Sequence, residues 1–125
     1  MEMAITTVAM LACLQLKHYL VDYVLQPAWI LRGKGNFRMI GGYVHAGGHA
    51  LGTVPALMLA GIGLMRVTIL VVAEFLTHYL IDYCKALLSQ HSRADATTRA
   101  YWAMHGADQL LHQLTYAALI LAALL

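Results

Sequence analysis

Polar positions in this chain recur four apart inside long apolar runs. The apolar stretches cover about 4–26, 43–62, 66–88 and 104–124. Each is about 20 residues long, which as a helix rising 1.5 Å per residue crosses a hydrocarbon core of roughly 30 Å. None shows sustained period-two alternation, and open strands cannot be satisfied in lipid, so the pattern predicts helices. Their histidines and carboxylates set four apart are His18 and Asp22, then His45 and His49, then Glu74, His78 and Asp82, then Asp108 and His112. Steps of four put each set on one helix face, about 40° apart around the axis. Facing lipid, a charged side chain costs roughly 3 kcal/mol or more, so all nine are expected to point inward.

The expected fold class is therefore all-α: an integral membrane four-helix bundle, with residues 1–125 forming a single transmembrane domain. "HYLVDY" at 18–23 and "HYLIDY" at 78–83 suggest an internal repeat of two helical hairpins. Helices one and three run in the same direction, so the repeat is expected to be parallel, not inverted. Glycines at 41, 42, 47, 48 and 52 surround His45 and His49, a composition that lets neighbouring helices approach closely.

Composition agrees with the pattern. The chain is 61% hydrophobic and 11% charged, with mean hydropathy +0.66; a soluble domain carries about 25% charged residues. The first stretch lacks a basic N-region, and removing it would discard His18 and Asp22, so it is not expected to be a cleaved signal peptide. Cys13 and Cys84 are expected near opposite ends of parallel helices, too far apart to pair.

Charge adds a direction. Of the eight Lys and Arg residues, six (Arg32, Lys34, Arg38, Lys85, Arg93 and Arg99) lie in or beside the 27–42 and 89–103 loops. By the positive-inside rule these loops face the cytosol and both termini face the other side. Trp29, Tyr83, Tyr101 and Trp102 fall near the same boundary, as an interfacial belt would. With no long basic stretch, anionic headgroups are the expected partner, and nucleic acid is not. The two loops, "LRGKGNFR" and "SQHSRADATTR", read as mobile surface connections. Lys17 has no predicted partner.

In that topology all four polar sets converge on one level of the cytosolic half. Asp22 would lie on the order of 6 Å inside its helix end and His18 about 12 Å. Five imidazoles and four carboxylates at one level suit two divalent transition metals (zinc, iron or manganese), because four carboxylates would neutralise both ions. The expected ligands are His18, Asp22, His45, His49, His78, Asp82 and His112. Glu74 or Asp108 is the expected general base. Gln26 and Gln109 would hydrogen-bond ligands, and Arg32, Lys34, Arg38 or Lys85 would hold a headgroup.

The ordered motifs "HYLVDYVLQ", "HAGGH", "EFLTHYLIDYCK" and "DQLLH" resemble the small bacterial and phage membrane proteins of domain of unknown function 3307, over about 15–113. The resemblance implies a multi-pass protein of the bacterial inner (cytoplasmic) membrane. Its polar positions carry over to His18, Asp22, Gln26, His45, His49, Glu74, His78, Asp82, Lys85, Asp108, Gln109 and His112. A looser similarity links the pattern to inner-membrane metal-dependent hydrolases.

The leading expectation is a membrane-embedded metal-dependent hydrolase acting on a lipid or amphiphile ester or phosphoester from the cytosolic leaflet. The alternatives are a metal-ion or proton transporter or channel, a di-iron lipid oxidase, and a structural metal-binding membrane protein. So small a bundle is also compatible with homo-oligomerisation.

Overall fold

The computed structural model describes residues 1–92 and 94–125, and among these the chain is all-helical. Helix α1 covers Glu2–Tyr19 and passes directly into a π-helical turn, Leu20–Val24. A short α2 (Ala28–Gly33) comes next, then α3 (Ile40–Leu59), α4 (Leu64–His91) and α5 (Arg99–Leu124). Each long helix packs against two others, α1 on α3 and α5, and α4 on α3 and α5.

Helix ends obey local chemistry. Gly61, at φ 65°, makes the α3–α4 turn in a region that L side chains rarely adopt. Thr98 caps α5 by accepting from the Tyr101 N–H. Asp95 accepts from the Thr97 N–H at 2.9 Å, and the Thr98 N–H reaches the Asp95 carbonyl at 2.9 Å. These bonds start α5 at Arg99, five residues before the apolar run. They also make the second basic loop a short bonded turn where a mobile connection was expected. Arg93, one of the basic residues expected there, lies outside the described residues.

The first basic loop differs more. It contains α2, which docks against the start of α3 through glycine. A Cβ on Gly41 would lie 2.8 Å from the Trp29 carbonyl oxygen, and one on Gly33 would lie 2.7 Å from the Gly41 Cα. The close packing expected of the glycines holds at these positions and at Gly52, where a Cβ would meet Lys17 Cγ at 2.6 Å. It does not hold at Gly47, which has nothing within 4 Å, because that position faces open space.

Glu2–Val24 and Leu64–His91 are long and apolar enough to cross a membrane, with hydropathies of 1.4 and 1.6. The other two long helices, α3 and α5, carry glycine, histidine and glutamine where a plain span carries leucine, so apolarity alone does not single them out.

The interior has two halves. Met10 and Leu14 of α1, Ala56 and Leu57 of α3, Leu70 of α4 and Ile120 of α5 belong to a continuous apolar core. Toward the other end the buried residues are polar: Lys17, His18, His45, His49, Thr53, Glu74, His78, Asp82, Asp108 and His112. The outer faces are the reverse, with Leu51, Leu76, Leu80, Leu110 and Leu114 exposed.

Candidate metal centre

The polar half is built in steps of one helical turn. Thr53, His49 and His45 form a ladder on α3, Glu74, His78 and Asp82 one on α4, and Tyr116, His112 and Asp108 one on α5. Each step of four residues rises about 6 Å, so the ladders meet rung by rung.

At the deepest rung Lys17 and Glu74 form a buried ion pair. Lys17 Nζ also donates to the His49 carbonyl at 3.3 Å and lies 4.3 Å from the centroid of the Tyr116 ring. Lys17 is thus the buried partner of Glu74, a pairing that helix periodicity does not foresee. Glu74 is fully buried by this contact and lines neither the polar cavity over the cluster nor the apolar groove between α4 and α5.

At the next rung the Tyr116 hydroxyl bridges His18 Nδ1 (2.8 Å) and His49 Nδ1 (3.4 Å). The His49 and His78 rings stack at 3.8 Å, and those of His78 and His112 at 4.2 Å. The other nitrogen of His18, Nε2, meets Gln109 Oε1 at 3.0 Å and Asp22 Oδ2 at 3.0 Å. Both nitrogens of His18 are therefore engaged, and it steadies Asp22.

Two groups of side chains converge. Asp22, His45, His49 and His78 each offer one donor atom, all within 4.8 Å of one another. His78, Asp82 and His112 do the same. Asp22 Oδ1 lies 3.0 Å from His45 Nε2 and 3.2 Å from His49 Nε2. Donors bound tetrahedrally at 2.0–2.1 Å stand about 3.3 Å apart, close to these separations. Six of the seven expected ligands fall in the two groups. His18 is the exception: the π turn carries Asp22 between it and the α3 histidines.

Pairwise hydrogen bonds do not account for the arrangement. His45 Nε2 has one proton or one lone pair to offer. Yet it lies 3.0 Å from Asp22 Oδ1, 3.2 Å from Asp82 Oδ2 and 2.9 Å from Lys34 Nζ. Asp82 Oδ2 is 2.8 Å from Lys34 Nζ and 3.5 Å from His78 Nε2, but none of its neighbours is aligned as a hydrogen bond. His78 Nε2 and Asp108 Oδ1 are likewise buried without a hydrogen-bond partner. His112 Nε2 stands 3.4 Å from Asp82 Oδ1 and 3.5 Å from Asp108 Oδ1, beyond the usual range for an N–H···O bond. Buried polar atoms are normally paired. Here they aim at shared points, which fits a cation between them.

The lysines change the charge count. Lys17 pairs with Glu74, Lys34 with Asp82 at 2.8 Å, and Lys85 with Asp108 at 2.6 Å. Asp22 alone of the four carboxylates has no lysine within ion-pair distance among the described residues. The four carboxylates are therefore not free to neutralise two divalent ions.

The remaining predicted residues divide. Gln26 Nε2 donates to the Asp22 carbonyl at 2.7 Å, and Gln109 Nε2 reaches Asp108 Oδ2 at 3.3 Å. Lys34 and Lys85 enter the site. Arg32 and Arg38 stay exposed and outside it, because α2 and the turn after it direct them outward. A cavity of about 230 Å³ opens over the cluster, lined by Asp22, Lys34, Asp82, Lys85, His105 and Asp108 among others. Tyr116 and Thr53 also belong to the cluster, and extending the i, i+4 ladders by one step finds them in the sequence.

Fold and site define an all-helical protein with an inverted interior, polar in one half, where two groups of side chains have the spacing that could hold a metal ion. Residues 10–125 match the family described as protein of unknown function (DUF3307), and the chain belongs to that family. The description names no activity. Comparison with curated proteins and with solved structures returns no match, so the looser similarity to metal-dependent hydrolases gains no support.

Proposed function

We propose that this chain is a multi-pass protein of the bacterial inner membrane in which four long helices span the bilayer as a bundle. Both termini face away from the cytosol and the two basic loops lie inside. The support is the inverted surface: polar residues are buried on all four helices, while the outer faces of α3 and α5 expose Leu51, Met58, Leu110 and Leu114. Water would favour the opposite arrangement.

The bundle holds a divalent transition metal, zinc, iron or manganese, and hydrolyses an ester or phosphoester of a lipid or amphiphile from the cytosolic leaflet. The observation that carries this reading is the convergence of buried donor atoms, among them the unpartnered His78 Nε2 and Asp82 Oδ2, beneath an open cavity. One ion is favoured over two. Asp22, His45, His49 and His78 form the position whose carboxylate has no lysine partner, with Lys34 Nζ 2.9 Å from His45 Nε2 at its edge, whereas the position at Asp82 shares His78 and has its carboxylate paired with the same ammonium. A bound cation lowers the pKa of a water and polarises the scissile group. Asp108 is favoured over Glu74 as base, because it lines the cavity with Oδ1 unpartnered. The water oxygen bonds to carbon or phosphorus as the ester bond breaks. One water proton passes to Asp108 and from there to the leaving alcohol.

A transport path within one chain is disfavoured by the apolar core, which fills the other half of the interior. The test is metal content by mass spectrometry on protein purified in detergent, then hydrolysis of short-chain phospholipids before and after chelation. About one equivalent of one transition metal, with activity lost on chelation and restored on readdition, supports the proposal. No metal after reconstitution with zinc, iron and manganese overturns it.

A further inference from the structure

A second feature lies beside the cavity. A groove of about 280 Å³ runs along the outer surface between α4 and α5, lined by Leu80, Ile81, Leu88, Met104 and Leu111 with little polar surface. Lys85 and Asp108 line both the groove and the polar cavity. The two spaces thus share a wall, with a charged end over the metal centre and an apolar end on the face of the helix pair. Leu80 and Leu88 are 54% and 60% exposed, so the groove opens sideways and needs no passage through the bundle.

We propose that the ligand is an anionic phospholipid, its phosphate between Lys34 and Lys85 and one acyl chain in the α4–α5 groove. The inference rests on the membrane-hydrolase proposal and names the substrate class of the same site. The commitment to a phosphate comes from charge. The cavity is lined by Lys34 and Lys85 against Asp22, Asp82 and Asp108, one negative charge in excess. One divalent cation reverses the sign and makes the cavity attract an anion. Gln26, Ser89 and His105 line the same cavity and supply further hydrogen-bonding groups for phosphate oxygens. The commitment to a chain comes from continuity, because a headgroup beside Lys85 has the groove as its adjoining apolar surface. A free phosphate would have no use for the groove.

The test is native mass spectrometry of the metal-replete protein, released from detergent after incubation with phosphatidylglycerol, phosphatidylcholine or inorganic phosphate. Bound metal is read in the same spectra. Phosphatidylglycerol is expected to be retained on the order of tenfold better than phosphatidylcholine, which carries the same phosphate but adds a choline cation beside a cavity of like sign. Lys85→Gln should remove that preference. Leu111→Trp, at a position 48% exposed on the groove, should abolish retention of both lipids without changing bound metal. It keeps the test decisive if Lys85→Gln fails to fold. Metal bound with neither lipid retained would overturn this inference alone, as would retention of inorganic phosphate without lipid. Phosphatidylglycerol retained without metal would overturn the metal reading and, with it, the charge reversal on which the choice of an anion rests. Neither metal nor lipid bound would overturn both.

Discussion

After Tyr19 the first hexapeptide leaves α geometry for a π turn, whereas the second runs on in one α-helix to His91. The two segments, "HYLVDY" and "HYLIDY", differ by one methylene, yet their aspartates keep different company. Asp22 meets His18, His45 and His49 and no lysine. Asp82 meets His45, His78, His112 and the Lys34 ammonium. Tyr19 is 57% exposed, while Tyr79 is buried and stacks on Tyr43 at 4.6 Å. The difference originates in the residues downstream of each hexapeptide. Gln26 and Pro27 end the first helix, and α2 then turns the chain so that Lys34 returns to the other aspartate. Beyond the second, α4 continues and carries Lys85 to Asp108. A repeated sequence here gives two copies of a His–Asp pair, and the chain downstream decides which copy has a lysine on its carboxylate.

The comparison can be broken most directly at the aspartates. Asp22→Asn should lower metal affinity by on the order of 100-fold or more, and Asp82→Asn by closer to 10-fold, judged against the 10- to 100-fold typical of outer-shell partners. Competition titration with a chromogenic chelator measures both, and equal losses would end the distinction. Lys34→Met should raise metal affinity, because it removes the ammonium that lies 2.8 Å from Asp82 Oδ2 and 2.9 Å from His45 Nε2. An unchanged affinity would mean that the ammonium does not compete with the cation.

A smaller effect is expected where α2 docks. Gly41→Ala should cost about 1–3 kcal/mol by overpacking against the Trp29 and Ile30 backbone. Gly47→Ala, in open space, should stabilise by roughly 0.5–1 kcal/mol. Thermal unfolding in detergent compares the two. The least change is expected at Tyr79→Phe. The Tyr79 hydroxyl is buried without a partner, so its removal should leave stability within about 0.5 kcal/mol or raise it.

Much of the site was legible because a helix reports its own faces. The i, i+4 spacing of His45 and His49, or of Asp108 and His112, needs no tertiary information to read. The same periodicity says nothing about a loop that folds back. Lys34 therefore read as a surface cation when its ammonium lies 2.8 Å from a buried carboxylate. Lys17 was missed for a related reason. Its partner Glu74 is 57 residues away on α4, and only the packing of both α1 and α4 against α3 and α5 brings the two together across the bundle. Hydropathy does not single out α3 and α5, since the residues that face inward lower the average of helices whose outer faces expose leucine and methionine. No periodic signal marks the π turn.

That turn also sets the rotation of everything before it. A π turn holds one residue more than the α-helix it interrupts, and such insertions cluster at functional sites. Winding Leu20–Val24 as a regular α-helix with every residue kept would swing residues 2–19 by about 100°, the rotation of one residue, relative to the chain after the turn. Met10, Leu14, Lys17 and His18 would then leave the interior together and bring a lysine and a histidine to the outer surface. The extra residue is the clutch by which one helix engages an apolar core at one end and an aspartate in the right phase at the other.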